Sequence, residues 1–270
     1  MSLLLHLSDL HFGSDRPDLL DPLVRAVNAL SPDLVAVSGD FTQRARRREY
    51  VAARRFLDRI EAPTLSVPGN HDIPIHRPLT RFFDPWRYYR RWIDEVLEPT
   101  FSTPDMTVVG MNTVNRFAWQ SGRMGTGTLR RACRALDAAG PGRLRVIVAH
   151  HPLEQPEDSS KKPMPRAREA LTRLLGCGAD LVLSGHLHVW HAGAFAHRTE
   201  AGNFGFQLHA GTSLSSRVRG EGNNFNCVDT TGAGADITRH EYDETVGDFT
   251  ARETVSFDRQ RDTDTATPGN

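Results

Sequence analysis

Five places along the chain gather side chains that ligate metals. They are Ser8-Asp9-Leu10-His11, Gly39-Asp40, Gly69-Asn70-His71-Asp72, His150-His151-Pro152 and Gly185-His186-Leu187-His188. Carboxylate, amide and imidazole donors without thiolate suit borderline divalent cations such as Mn, Fe, Zn or Co. The donors outnumber what one ion needs, so the set points to a pair. Two ions roughly 3.5–4 Å apart neutralise an anion and turn water into a nucleophile near neutral pH. Each piece alone is ordinary. Gly-Asp is common turn chemistry, Asp-x-His reads as a capped turn, and paired histidines on an apolar strand read as satisfied core groups. The ordered recurrence of all five makes coincidence a poor explanation.

Each piece follows a short apolar run: 3–7, 34–38, 64–68, 146–149 and 181–184, with a sixth run at 107–111. Continuous apolar runs of this length suit strands buried on both faces. Helical patterns lie between them, at Asp21–Leu30, Arg47–Ile60, Thr128–Ala139 and Arg166–Leu175. Alternation of the two predicts an α/β fold. In open α/β sheets ligands collect outside the carboxyl ends of the strands, so five segments would deliver donors to one edge. Side chains two apart on extended backbone share a side. Asp9 and His11 would then grip one ion, and His186 and His188 would reach toward neighbouring ions. After about residue 192 short alternating segments predict antiparallel strands in a second sheet packed on the first. From Asp258 the chain is rich in Asp, Thr and Pro, which predicts a single domain over 1–257 and a flexible tail over 258–270.

The order D-x-H, G-D, G-N-H-[DE], H, G-H-x-H resembles the calcineurin-like metallophosphoesterases. It is met by Asp9-Leu10-His11, Gly39-Asp40, Gly69 to Asp72, His150 and Gly185 to His188. The opening His6-Leu-Ser-Asp-Leu-His-Phe-Gly13 is similar to bacterial class III cyclic-nucleotide phosphodiesterases. The resemblance implies a two-sheet β-sandwich flanked by helices, α-β-β-α in four layers. It implies two divalent ions (Mn, Fe or Zn), the first on Asp9, His11, Asp40 and His188. The second would rest on Asp40, Asn70, His150 and His186, with Asp40 shared. His71 would be a non-ligand beside the scissile phosphate, and His151 would lie behind the ligands or face substrate. One departure from the phosphoprotein-phosphatase branch is Gln43, at the position of an Asp that orients the catalytic histidine. Arg44 keeps its place, either as a phosphate contact or as a surface residue.

The activity this implies is hydrolysis of small-molecule phosphodiesters, cyclic nucleotides or glycerophosphodiesters, by in-line attack of a hydroxide bridging two ions. A nuclease, or a phosphomonoesterase or pyrophosphatase with the same centre, is the alternative. A scaffold with a vestigial site is the alternative of another class. The 33 basic and 33 acidic residues balance to zero, which counts against a protein that coats nucleic acid. Three well-separated cysteines, Cys133, Cys177 and Cys227, predict a reducing compartment with no disulfide. No segment reads as a signal peptide or a membrane span, so the expected location is the cytoplasm. Residues 73–100 combine arginines and aromatics and read as a lid or, by the amphipathic pattern, a packing or self-association helix. Residues 152–165, with Lys161 and Lys162, read as a rim loop beside His150. Arg217 and Arg219 are candidate substrate contacts.

Overall fold

The computed structural model describes residues 1–140, 142–155, 159, 161–195 and 205–259. The apolar runs form β1 (Leu3–Leu7), β2 (Leu34–Val37), β3 (Thr64–Ser66), β5 (Met106–Met111), β6 (Leu144–Ala149) and β7 (Leu181–Ser184). The helical patterns form α1 (Leu20–Ala29), α2 (Arg47–Leu57), α5 (Thr126–Ala138) and α6 (Ala167–Gly176). Short strands β4 (Thr100–Ser102) and β8 (His191–Ala194) carry no strong apolar run and escaped the sequence reading.

Two six-stranded sheets face each other. One runs β12-β11-β10-β1-β2-β3 and the other β4-β5-β6-β7-β9-β8, with β9 (Phe206–His209), β10 (Asn224–Thr230), β11 (Gly234–Asp243) and β12 (Asp248–Asp258). Alternation along each strand builds three apolar layers. Leu4, Leu34, Ala36, Leu65, Val108, Val146, Val148, Leu183, Val228 and Ile237 fill the space between the sheets. Leu5, Leu7, Val35 and Val37 pack outward against Leu23, Val27, Ala53 and Phe56 of α1 and α2. On the far side Val109, Ile147 and Val182 meet Leu129, Leu136, Leu171 and Leu174 of α5 and α6. The result is the four-layer α-β-β-α arrangement expected.

Three expectations are corrected. The antiparallel strands at the C-terminal end do not make a separate second sheet. β10 pairs antiparallel with β1, aligning Leu3 with Asp229 and His6 with Asn226, so β10 to β12 extend the first sheet. The parallel strands β5, β6, β7 and β9 build the second. Both sheets are mixed: β10 lies antiparallel to β1 in the first, and β4 and β8 lie antiparallel to β5 and β9 in the second. Cys133 on α5 and Cys177 at the end of α6 are joined as a disulfide, with Cα atoms 5.3 Å apart. Packing of the two helices on one sheet face brings them together, and the cysteine-based argument for a reducing compartment falls. Residues 73–100 hold two short helices, α3 (Pro78–Phe83) and α4 (Arg87–Trp92), not one amphipathic helix; Pro85 lies between them. Tyr89 of α4 is buried in the layer of α1 and α2, whereas Leu79 and Phe83 of α3 are exposed. Part of the rim loop (156–158, 160) and most of the tail (260–270) lie outside the described residues. Among the described residues no helix is long and apolar enough to cross a membrane.

Candidate metal centre

The chain turns sharply where the strands stop. Asp9, His11, Asp40, His186 and His188 have φ values of 52°, 48°, 52°, 70° and 61°. This left-handed region costs a non-glycine residue on the order of 1–3 kcal/mol, so strain is concentrated at one edge. The finding corrects the extended geometry expected for Asp9 and His11 and for His186 and His188. β1 ends at Leu7 and β7 at Ser184, and turns aim the side chains instead. The Asp9 and His11 amides donate to the carbonyls of Gly39 and Asp40 at 3.1 and 2.9 Å, which staples two turns together. Gly69 and Gly185 permit the crowding. A Cβ on Gly69 would fall 2.2 Å from the Asp40 amide nitrogen, and one on Gly185 2.4 Å from Asp9 Oδ2.

The donor atoms of Asp9, His11, Asp40 and His188 lie within 4.8 Å of one another, all buried. Asp9 Oδ2 accepts from Ser8 Oγ at 2.6 Å and from the His186 amide at 3.0 Å. Its other oxygen, Oδ1, has no hydrogen-bond donor and sits 3.1 Å from His188 Nε2 and 3.5 Å from His11 Nε2. His188 Nδ1 donates to the Arg217 carbonyl at 3.0 Å, which turns its Nε2 lone pair to the cluster, 3.2 Å from His11 Nε2. The second group repeats the logic. His150 Nδ1 donates to the Ser38 carbonyl at 2.8 Å. Its Nε2 lone pair then faces Asn70 Oδ1 at 3.1 Å and His186 Nδ1 at 3.3 Å. Asp40 joins the groups: Oδ1 accepts the His71 amide at 2.8 Å, and Oδ2 lies 3.5 Å from His11 Nε2 and 3.4 Å from His150 Nε2.

Lone pairs that face lone pairs in a buried site repel unless a cation sits among them. The donor set therefore fits two divalent ions, with Asp40 between them. The donors differ in their protonation. Burial opposes charge on Asp9 and Asp40, yet the surrounding imidazoles hold both well below the usual carboxylate range. Burial pushes His11 down to about 4 and His186 well below its ordinary value. At His150 burial is outweighed by Asp40 and Asp9, which push it up to about 9, so in the absence of a cation this ring takes up a proton, which a bound metal ion would replace.

The remaining site residues fall into place around this pair. His71 is half-buried at the rim, its ring centroid 4.9 Å from that of His11. Its Nδ1 donates to the backbone carbonyl of Gln43 at 2.8 Å, so Nε2 is its free nitrogen. A main-chain oxygen thus does the orienting for which an Asp side chain was sought, and side-chain spacing could not disclose it. Asp72 accepts from the amides of Gly69, Phe41 and Thr42 and from the Thr42 hydroxyl, which locks the two turns in register. His151 packs beside His150 and His186, with a donor nitrogen within 4.8 Å of theirs. It is buried, its Nδ1 accepts from Thr113 Oγ1 at 2.8 Å, and its Nε2 donates to the Gln120 carbonyl at 3.0 Å. Arg44 is exposed, and its amide donates to Glu49 at 2.8 Å. Arg217 is exposed and contributes its carbonyl to His188; Arg219 is likewise exposed. Lys161, on the rim loop, donates its ammonium to the His186 carbonyl. Ser8, Ser38 and Thr212 hold Asp9 and its neighbours, a role the sequence does not disclose because a lone hydroxyl has no distinctive spacing.

Residues 3–190 match the family model of the calcineurin-like phosphoesterases. The chain belongs to this family. Within it, an 81-residue segment is 40% identical to the glycerophosphodiester phosphodiesterase GpdQ of Enterobacter lignolyticus, covering 26% of this chain and 29% of that protein. A 72-residue segment is 36% identical to the UDP-2,3-diacylglucosamine pyrophosphatase LpxG of Chlamydia muridarum, covering 26% of this chain and 22% of that one. The chain thus spans under a third of the length of these curated relatives. In fold it is similar to purple acid phosphatase PPD1 of yellow lupin, with a TM-score of 0.69 at 13% identity, covering 95% of this chain and 54% of that one. It is also similar to GAP50 of Plasmodium, with a TM-score of 0.63 at 11% identity and coverage of 96% and 89%.

Proposed function

We propose that this calcineurin-like phosphoesterase is a dinuclear phosphodiesterase acting on small-molecule phosphodiesters of the cyclic-nucleotide or glycerophosphodiester type. The observation that carries the reading is Asp40 Oδ2, set between His11 and His150 at 3.5 and 3.4 Å, with a bare donor group on each side. Two divalent ions bound there would neutralise the phosphoryl oxygens and make water nucleophilic near neutral pH. The chain's own part is positioning. Asp40 holds the two donor groups together and Asn70 supplies a neutral donor to the second. His71, held through Nδ1 by the Gln43 carbonyl, offers Nε2 at the rim, where it protonates or stabilises the departing oxygen. Zero net charge supports a small-molecule partner over nucleic acid.

The similarity to GpdQ favours a diester and the similarity to LpxG favours a pyrophosphate. Both bonds place a shielded phosphoryl anion over the same donors. Mn-dependent hydrolysis of bis-p-nitrophenyl phosphate tests the enzyme reading against a scaffold. A panel of cyclic AMP, glycerophosphocholine, a nucleotide-sugar pyrophosphate and single-stranded DNA then sorts the substrates. Turnover of the first or second fastest supports the proposal; preference for the pyrophosphate or the DNA replaces it, and no turnover of any diester overturns it.

A further inference from the structure

A buried chain of hydrogen bonds runs from the space between the sheets to one face of the metal centre. His6 shares the inward face of β1 with Leu4 and is fully buried. Its Nε2 lies 2.8 Å from Ser38 Oγ, Ser38 Oγ lies 2.8 Å from Ser8 Oγ, and Ser8 Oγ lies 2.6 Å from Asp9 Oδ2. The direction of the chain follows from counting protons. An ionised carboxylate only accepts, so Ser8 spends its single proton on Asp9. Ser38 must then donate to Ser8. That leaves Ser38 with no proton for His6, so His6 Nε2 carries the hydrogen and donates. Burial pushes the His6 imidazole down to about 3, which keeps the ring neutral and the direction fixed across the working range of pH.

His6 Nδ1 has no hydrogen-bond partner among the described residues. An apolar side chain of similar size would fill the position without leaving a buried nitrogen unpaired, and such an atom costs about 1–3 kcal/mol. What the imidazole adds is its donation to Ser38. The chain ends on Asp9 Oδ2 and leaves Oδ1 as the bare oxygen that faces His188 and His11. Ser38 also touches the second cluster, but only through its main-chain carbonyl, which accepts from His150.

We infer that His6, through Ser38 and Ser8, is a positioning residue that fixes and polarises Asp9 and so sets the affinity of the ion held by Asp9, His11, Asp40 and His188. The inference rests on the metal reading above. Outer hydrogen-bond partners of metal ligands typically govern 10- to 100-fold in affinity. The two clusters should respond differently, because removing the Ser38 hydroxyl breaks the chain to Asp9 and leaves the carbonyl that orients His150.

The test is a Mn titration of the metal-free protein by calorimetry and electron paramagnetic resonance, with His188→Ala marking the step that belongs to the first cluster. Ser38→Ala and His6→Leu should each weaken that step about 10-fold or more and leave the other within about twofold. His6→Gln, whose amide can still donate, should recover most of the loss; this comparison stands even where Ser38→Ala does not fold. Equal weakening of both steps, no weakening, or a His6→Gln variant as poor as His6→Leu would overturn the inference. A wild-type chain that binds no Mn fails the metal reading itself, a result distinct from these.

Discussion

At Asp40 one carboxylate serves two groups of donors, and its two oxygens do different work. Oδ1 is fixed by the His71 amide and Oδ2 faces both clusters. On the dinuclear reading proposed above, Asp40→Ala should lower bound Mn from about two per chain to well under one at stoichiometric loading, since each ion would lose a charged ligand. Metal analysis after desalting measures this. His71 makes the opposite prediction. Its ring nitrogens serve the Gln43 carbonyl and the open rim, so His71→Ala should cut kcat about 10²-fold or more while metal content stays at the wild-type value. Loss of metal and activity together would make His71 a ligand. At this scale the sequence was most informative. Residue type and order marked out the five segments, the family resemblance singled out Asp9, His11, Asp40, Asn70, His150, His186 and His188 within them, and the fold brings these seven together. His151 was left open between two roles, and Thr113 and Gln120, distant in sequence, decide its place.

The turns and helices that carry these residues were less legible. A β-strand's apolar run can be read from its own residues, but the left-handed turns after β1, β2 and β7 depend on what lies opposite them. Gly185 shows the dependence. Its missing Cβ is the space filled by Ser8 Oγ and Asp9 Oδ2. Gly185→Ala should push Asp9 out of line and weaken Mn binding at least 10-fold, with a loss of stability of about 1–3 kcal/mol from overpacking. Calorimetric Mn titration and chemical denaturation measure the two effects separately. The link between α5 and α6 belongs to the same scale. Cys133 and Cys177 are 44 residues apart in sequence, and closing a loop of that length stabilises by about 4 kcal/mol in the chain-entropy model. Reduction, or Cys133→Ser, should lower the thermal midpoint by several degrees with the Mn affinity unchanged, as measured by scanning calorimetry with and without reductant. An unaltered midpoint would show that the pair is not joined in solution.

Taken as one molecule, the fold buries histidines that the unfolded chain would charge. Burial pushes His6 and His209 down to about 3 from an ordinary 6.5. Between these values the unfolded chain binds protons that the native one refuses, so stability falls as the pH drops through 6.5 toward 3. By pH 5 each contributes a loss of about 2 kcal/mol. The metal-free protein should therefore melt markedly lower at pH 5 than at pH 7, and a flat profile over that interval would contradict the burial of both rings. Residue type and local periodicity were enough to set out the donors, the six apolar strands and the four main helices, because each of these is encoded within a few consecutive residues. Which sheet received β10 to β12, which cysteines met, which nitrogen of each imidazole faced the cluster and which hydroxyls steadied Asp9 were decided only by tertiary structure. Those outcomes hang on contacts such as Ser8 with Ser213 and His150 with Ser38, between groups a hundred or more residues apart, and no local pattern records them.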